Sequence, residues 1–588
     1  MVFADIGTSV YYTPGILFDQ GFRSRSSIFV AMTLVVFVLL TVKYAEVAWR
    51  FPEGGGVVNV ASRALHPMAG LLGGLFITVD YYLTAALSAL SGVLYLAVLV
   101  PSLLPVAAPA TMAALVALGV INWIGIRESA RLSAIFAVLA ALGQLLVVAA
   151  VLVSLGPQGV VHSVQLVGRG PALGPAQLVT GYAAAFLAFS GLETIAQVAP
   201  AMREPRSRIA SRSMMLVVLS IVVTSPLLTL WSTTLLPASS NPDQFISLLG
   251  LHVAGRWLAD YVAVSGALLL IFASNTAIIG SYHVFVALAR MGFLPRLLER
   301  RNRWRRSPHW SIVAALAVPV ALIAVIGANS ILLGDLYAFG LLGAFVLTGL
   351  SLDIVRWREG KRSVGWVVGV VTTALVAIAW SVNLVAKPDA TVFGGGLTVL
   401  GLAIGLSMSS WARRRRPVVF PLPWRPERAA EFIASVLGGS QAELLVVLPH
   451  EVEKQESVIS AALRAVAGKR VLYLYRGEPP SQVRPDLMEV TDPYLRDFGA
   501  QDAFARVAAA TRQIAGQKQY VYVPGNLRLD VIGSLWRRLE PRETVILDGE
   551  QELLPPVALD RVRRQVVDGD VVLHLISGRP RHLGLAPS

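Results

Sequence analysis

Cysteine is absent from the 588 residues, which excludes disulfides and thiolate metal centres. Charge is scarce: Asp, Glu, Lys and Arg make up 15% of the chain, against about a quarter in an ordinary soluble domain. The sequence carries no Ser–His–Asp set, no metal-ligand cluster and no phosphate-binding glycine loop, so neither an enzyme activity nor a cofactor is expected. The start, Met1–Val2–Phe3–Ala4–Asp5, lacks a basic stretch and a small-residue cleavage site, and no cleavable signal is expected.

Apolar length stands in their place. Hydrophobic residues form 55% of the chain, and the mean hydropathy is +0.64. Apolar runs fall near 4–20, 28–49, 69–100, 107–125, 131–155, 177–199, 213–236, 259–288, 309–328, 331–353, 364–385 and 392–411. Each is long enough to cross a hydrocarbon core of about 30 Å. One such run suits a buried core helix, but a dozen in series exceeds any soluble core. The expectation is an all-α polytopic membrane protein with about twelve spans, multi-pass in a cell inner (plasma) membrane.

The net charge of +14 would fit a nucleic-acid partner if it were gathered on one face. It is instead sorted by loop. The loops after the even-numbered runs, up to the tenth, carry nineteen Arg and Lys, from Arg50 to Arg362, and the opposite loops carry five: Arg23, Arg25, Arg169, Arg256 and Lys387. Such a bias marks the first set as cytoplasmic. Arg413 to Arg416 follow the last run on the same side, so both termini are expected inside. The bilayer, not nucleic acid, is the partner this charge serves.

Several runs contain residues that a lipid-facing helix excludes. The first reads Asp5–Ile6–Gly7–Thr8–Ser9, followed by Tyr12 and Pro14, and the sixth reads Ser190–Gly191–Leu192–Glu193. A glycine beside hydroxyls and a carboxylate, twice, at a five-helix interval points to interrupted helices in two inverted five-helix halves, with two helices outside the repeat. Ordinary glycine packing between helices is the alternative. In the third run Asp80, Thr84 and Ser88 recur at i, i+4 and i+8 and share one helix face. A salt bridge from Asp80 to a basic residue such as Lys43 is the structural alternative for that carboxylate. Only four residues precede Asp5, fewer than a cytoplasmic half-helix needs, so the spacing predicts further sequence upstream of Met1.

Phe51–Pro52–Glu53–Gly54–Gly55–Gly56, Asn122–Trp123–Ile124–Gly125–Ile126–Arg127 and Ala289–Arg290–Met291–Gly292–Phe293–Leu294–Pro295 resemble motifs of the amino acid–polyamine–organocation superfamily. Within it, Asp5–Ile6–Gly7–Thr8–Ser9, the Asp80–Tyr81–x–x–Thr84–x–x–x–Ser88 run, Ser190–Gly191–Leu192–Glu193 and Leu336–Tyr337–Ala338–x–Gly340 look like the Kup/KimA-type potassium–proton symporters. The resemblance covers about residues 1–415. It implies a LeuT-type fold and a potassium site at Asp5, Tyr12, Asp80, Tyr81, Thr84, Ser88, Ser190 and Tyr337, with Glu193 carrying the coupling proton. Ser190 departs from the threonine of KimA-type members, which keeps the hydroxyl and loses a methyl.

The expected activity is therefore proton-coupled potassium uptake. A proton- or sodium-coupled amino-acid or polyamine permease is the alternative, and a membrane-embedded sensor is a third. Residues 1–412 are expected to form the transporter domain and 413–426 a basic, proline-containing linker. Residues 427–588 are expected to form a cytoplasmic α/β domain, its strands near Leu444–Leu448, Val471–Tyr475, Tyr520–Val523, Val545–Leu547 and Val571–Ile576 alternating with helices in a parallel sheet. That tail resembles the universal-stress-protein-like tails of KimA-type transporters, which implies regulation or a homodimer contact.

Overall fold

A computed structural model describes residues 6–51, 56–124, 130–169, 172–197, 206–300, 307–360, 362–413, 419–421, 442–477, 494, 497–523, 533, 536–537, 539–550, 553–554, 562–567 and 569–576. The chain divides into two compact units, one helical and ending at Ser407, the other made from the residues after it.

The helical unit follows from apolar runs that must satisfy their own backbone in lipid. Its helices are α1 (Ser9–Leu17), α2 (Ser26–Arg50), α3 (Gly56–Ala64), α4 (Pro67–Leu96), α5 (Ala107–Ile124), α6 (Ala130–Gly168), α7 (Pro175–Ala184) and α8 (Thr194–Gln197). They continue as α9 (Arg206–Leu235), α10 (Phe245–Ala254), α11 (Arg256–Arg290), α12 (His309–Ile326), α13 (Ser330–Arg358), α14 (Val364–Ala386) and α15 (Pro388–Arg413). Among the described residues eleven stretches have the length and apolarity of a membrane span. The twelve expected runs become eleven because the first two join into one stretch, Ser9–Arg50, with Gly21 at φ 94° inside a kink. The run expected at 131–155 continues to Gly168 through a second kink at Gly156–Pro157.

Position within the unit follows from side-chain character. α4 is buried along nearly its whole length, whereas α15 and α5 leave most of theirs exposed. α4 is thus central, and the leucine- and valine-rich outer helices meet lipid. His66 caps α4, its Nδ1 accepting from the Met68 amide at 3.2 Å, and Pro67 opens the first turn, where a missing N–H costs nothing.

In the second unit, β1 (Val419–Pro421), β2 (Leu444–Leu448), β3 (Val471–Arg476), β4 (Lys518–Val523), β5 (Glu543–Leu547), β6 (Val562–Val567) and β7 (Asp570–Ile576) form one sheet in the order β1-β4-β3-β2-β5-β7-β6. Strand side chains alternate between faces. Leu445, Val447, Leu472 and Leu474 pack on one side, while Leu444, Val446, Tyr473 and Tyr475 pack on the other with residues of α16 (Val452–Leu463) and α17 (Phe498–Ala510). The five expected strands are present, but the expected all-parallel sheet is mixed: β7 runs antiparallel to both β5 and β6. For β6 and β7 the reason is local. Val567 pairs with Asp570 across a turn containing Gly569 at φ 86°, and so tight a return can only make a hairpin, whereas a parallel strand needs a long crossover.

Candidate functional site

Two helix interruptions meet inside the helical unit. The first lies at Gly7–Thr8, where turn replaces helix before α1. The second lies at Ser190–Glu193, between the tight turn Ala185–Phe189 and α8. Gly191 adopts φ 92°, a region closed to side chains with a Cβ, so the sequence itself sets the break. Ser9 Oγ bonds the Ile6 carbonyl at 2.8 Å and the Ala188 carbonyl at 2.5 Å. Gln144 of α6 donates its Nε2 to the Gly7 carbonyl at 3.2 Å. A break frees backbone groups that must find partners, and these side chains supply them.

Around the breaks stands a group of oxygens. The Tyr12 hydroxyl lies 3.1 Å from Ser190 Oγ, joining α1 to the second break. Thr84 Oγ1 lies 2.5 Å from the Tyr337 hydroxyl, joining α4 to α13. Tyr337 interacts in turn with Ser190, Asp80, Tyr12 and Glu193, so the two pairs form one cluster. Asp80, Ser190, Glu193 and Tyr337 are all buried. Gly340 allows the approach: a Cβ there would sit 2.7 Å from the Asp80 nitrogen and 2.6 Å from the Phe76 carbonyl, so only glycine lets α13 come this close to α4.

Asp80, Thr84 and Ser88 share one face of α4, spread over about 12 Å of helix rise, so they line a track. Ser88 Oγ is buried and finds no hydrogen-bond partner among the described residues. Tyr81 is one residue on, rotated by about 100°, and its ring lies against Gly280 of α11. Asp5 lies outside the described residues, as do Pro52–Gly55 and Gly125–Arg127 of the quoted motifs.

The structure also brings in a tyrosine that sequence reading left aside. Tyr44 of α2 is fully buried, its ring edge-on to Phe345 of α13 with centroids 5.5 Å apart. Its signal was faint, one tyrosine beside a lysine in an apolar run. Lys43 is held by Asp353 of α13 at 2.7 Å, with further bonds to the Gly369 carbonyl at 2.9 Å and Thr373 Oγ1 at 2.6 Å on α14. An ammonium has three hydrogens, and these acceptors take them all, which corrects the alternative that paired Lys43 with Asp80. One and two turns on, Glu46 pairs with Arg356 and with Arg50, and Arg50 with Glu359 at 2.8 Å.

Many apolar spans closing over a buried, oxygen-lined cluster at two helix breaks define a membrane transporter, not an enzyme. The chain belongs to the amino acid permease family, which it matches over residues 1–399, and so to the amino acid–polyamine–organocation superfamily. It is 25% identical over 339 residues to the potassium transporter KimA of Bacillus subtilis, covering 57% of this chain and 55% of that protein. It is 27% identical over 500 residues to a probable potassium transport system protein Kup of Pseudomonas aeruginosa, covering 79% and 74%. A low affinity potassium transport system protein Kup of Yersinia pestis is 24% identical over 455 residues, covering 71% and 68%.

Proposed function

We propose that this protein takes up potassium, driven by an inward proton gradient, by alternating access across the inner (plasma) membrane, with both termini in the cytoplasm. The observation that carries the reading is the make-up of the buried cluster: the Asp80 carboxylate with the hydroxyls of Thr84, Tyr337, Ser190 and Tyr12. A dehydrated alkali cation asks for several oxygens in place of its water, and a carboxylate at low dielectric offsets several kcal/mol of its desolvation. The names of the relatives point the same way.

Asp80, Thr84, Tyr337, Ser190 and Tyr12 act as ligands in this reading, with Asp5 and Tyr81 beside them. Ser88 stands further along the track on the outer side. Glu193 carries the coupling proton. The breaks at Gly7 and Gly191 are equivalent points of two inverted five-helix repeats, and the sorted arginines place the loops. Residues 1–412 transport, 413–426 link, and the tail from 427 is a cytoplasmic regulatory or homodimer-forming domain. A zwitterionic amino acid has no need of the Asp80 charge.

The test is growth of a bacterium lacking its potassium-uptake systems on low potassium. The protein is expected to restore growth. Failure despite good membrane expression, with uptake of labelled amino acids or polyamines instead, overturns the reading.

A further inference from the structure

Three arginines stand at the junction of α13 and α14, and their engagements differ. Arg356 is taken by Glu46, and its Nη1 also reaches the Gly365 carbonyl at 3.4 Å. Arg358 gives Nη1 to the Ala64 carbonyl, at the end of α3, at 2.7 Å. Arg362 is exposed and forms no salt bridge among the described residues. Its Cζ stands 3.5 Å over the centre of the Trp357 ring. A contact so short sets the guanidinium face-on to the ring. The N–H fork lies in the guanidinium plane, so it stays open to a two-oxygen acceptor such as phosphate.

An apolar face begins beside this fork. Val364, Val367, Val371 and Ile378 of α14 are all exposed. They recur at i, i+3, i+7 and i+14, so they share one side of the helix from its first residue. Trp357 is exposed too, and Trp366 lies against it with ring centroids 5.1 Å apart. Tryptophan at the seam between an apolar helix face and a charged loop marks the water boundary of a bilayer. Apolar face, ring and guanidinium thus follow one another in the order of a phospholipid's own parts, from acyl chain to phosphate.

We infer that the junction of α13 and α14 is a docking site for one anionic phospholipid, its phosphate held by Arg362 over Trp357 and its acyl chains laid along the exposed valines of α14. The occupant is a lipid because a free phosphate would leave the valine face bare. It is anionic because Arg356 and Arg358 stand at the same junction, and basic residues at a membrane surface favour acidic headgroups. The ammonium of a zwitterionic headgroup would meet like charge there. This site does not depend on the cargo, and it stands whether or not the transported ion is potassium. Its inner edge touches the framework of the helical unit. Trp366 donates its Nε1 to the Asp353 carbonyl at 3.1 Å, and the Asp353 carboxylate holds Lys43. A seated lipid therefore steadies the ring pair and, through it, the residue that joins α13 to α2. A ligand that binds only the folded state raises its thermal midpoint.

The test follows thermal unfolding of the full chain in nonionic detergent, titrated with dioleoylphosphatidylglycerol, dioleoylphosphatidylcholine or inorganic phosphate. Phosphatidylglycerol should raise the midpoint, and the other two should leave it in place. Arg362→Gln should raise the half-effective phosphatidylglycerol concentration about fivefold, the share of one basic residue near an anionic surface. Trp357→Leu keeps the charge but removes its platform, and should weaken the response in the same direction. Arg300→Gln removes another exposed arginine on the same expected side and should titrate like the wild type. An Arg300→Gln effect as large as that of Arg362→Gln would reveal diffuse attraction and overturn the site. An equal response to phosphatidylcholine or to phosphate overturns it too, as does an Arg362→Gln titration unchanged from wild type. Arg362 and Trp357 are both exposed, so the lipid-free midpoints should stay near wild type. If one of these variants fails to fold, the other decides.

Discussion

Lys43 and Asp353 form a salt bridge of 2.7 Å in which both side chains are almost wholly buried. It ties α2 to α13, and Thr373 and the Gly369 carbonyl tie the same ammonium to α14. Removing one member of a buried pair strands the other charge, which typically costs about 3–5 kcal/mol. Lys43→Met and Asp353→Asn should each lower the thermal midpoint of the purified protein sharply. The double variant Lys43→Met/Asp353→Leu should recover most of the loss, because apolar replacement of both partners is often neutral. Thermal unfolding in detergent checks this, and a double variant less stable than either single one would count against it.

Asp80→Asn keeps the shape of the side chain and removes its charge. Growth rescue on low potassium should be lost while the amount of protein in the membrane stays near wild type. Full rescue by the variant would keep the substrate and move the site elsewhere.

Glu193→Gln should separate ion binding from proton drive. Rubidium should still exchange across liposomes at equal pH on both sides, while acceleration by an inward proton gradient disappears. Proton-dependent uptake that survived in this variant would assign the coupling to another group.

Thr84 and Tyr337 bond each other across α4 and α13 at 2.5 Å. Tyr337→Phe leaves a buried threonine hydroxyl short of its partner, a loss of about 1–3 kcal/mol. Carried by the ion-bound state, that corresponds to a fall in potassium affinity of roughly 5- to 150-fold. The half-saturating concentration of rubidium uptake reads this directly, and an unchanged value would remove Tyr337 from the ligand set.

In the tail, burial alone would raise the Glu543 carboxyl, but its bonds to Lys469 at 2.6 Å and His574 at 2.8 Å outweigh burial and hold it below its ordinary value. A carboxylate held low stabilises the fold above its unfolded pKa, and that contribution is lost as pH falls through the folded value. Strands β5 and β7 should therefore lose amide protection as the pH drops below about 4.5, and Glu543→Gln should show reduced protection already at neutral pH. Hydrogen exchange on the full-length protein, corrected for the intrinsic rate, measures both.

The helices and the two breaks were legible because their signals are local. Apolar length announces a span, and Gly191 between Ser190 and Glu193 announces a break whose positive φ only glycine accepts easily. The α4 face was legible for the same reason, since i, i+4 spacing is a property of one helix. Gln144 was not, because it acts on an element far away in sequence, the Gly7 carbonyl. A residue whose role depends on tertiary approach leaves no periodic trace. The antiparallel β7 was missed for a related reason. Its apolar pattern suits a strand of either direction, and the short turn before it fixes only its direction against β6.

The three rungs between α2 and α13 also limit how the protein can move. Lys43 faces Asp353, Glu46 faces Arg356 and Arg50 faces Glu359. Slide one helix by a turn and Lys43 meets Arg356 while Glu46 meets Glu359. Slide it the other way and Glu46 meets Asp353 while Arg50 meets Arg356. Either slip sets like charges side by side, so the ladder works as a key with one fitting position. α2 and α13 are therefore keyed together as a single strut at this end, and in the proposed alternating-access cycle the bending falls to the glycine breaks.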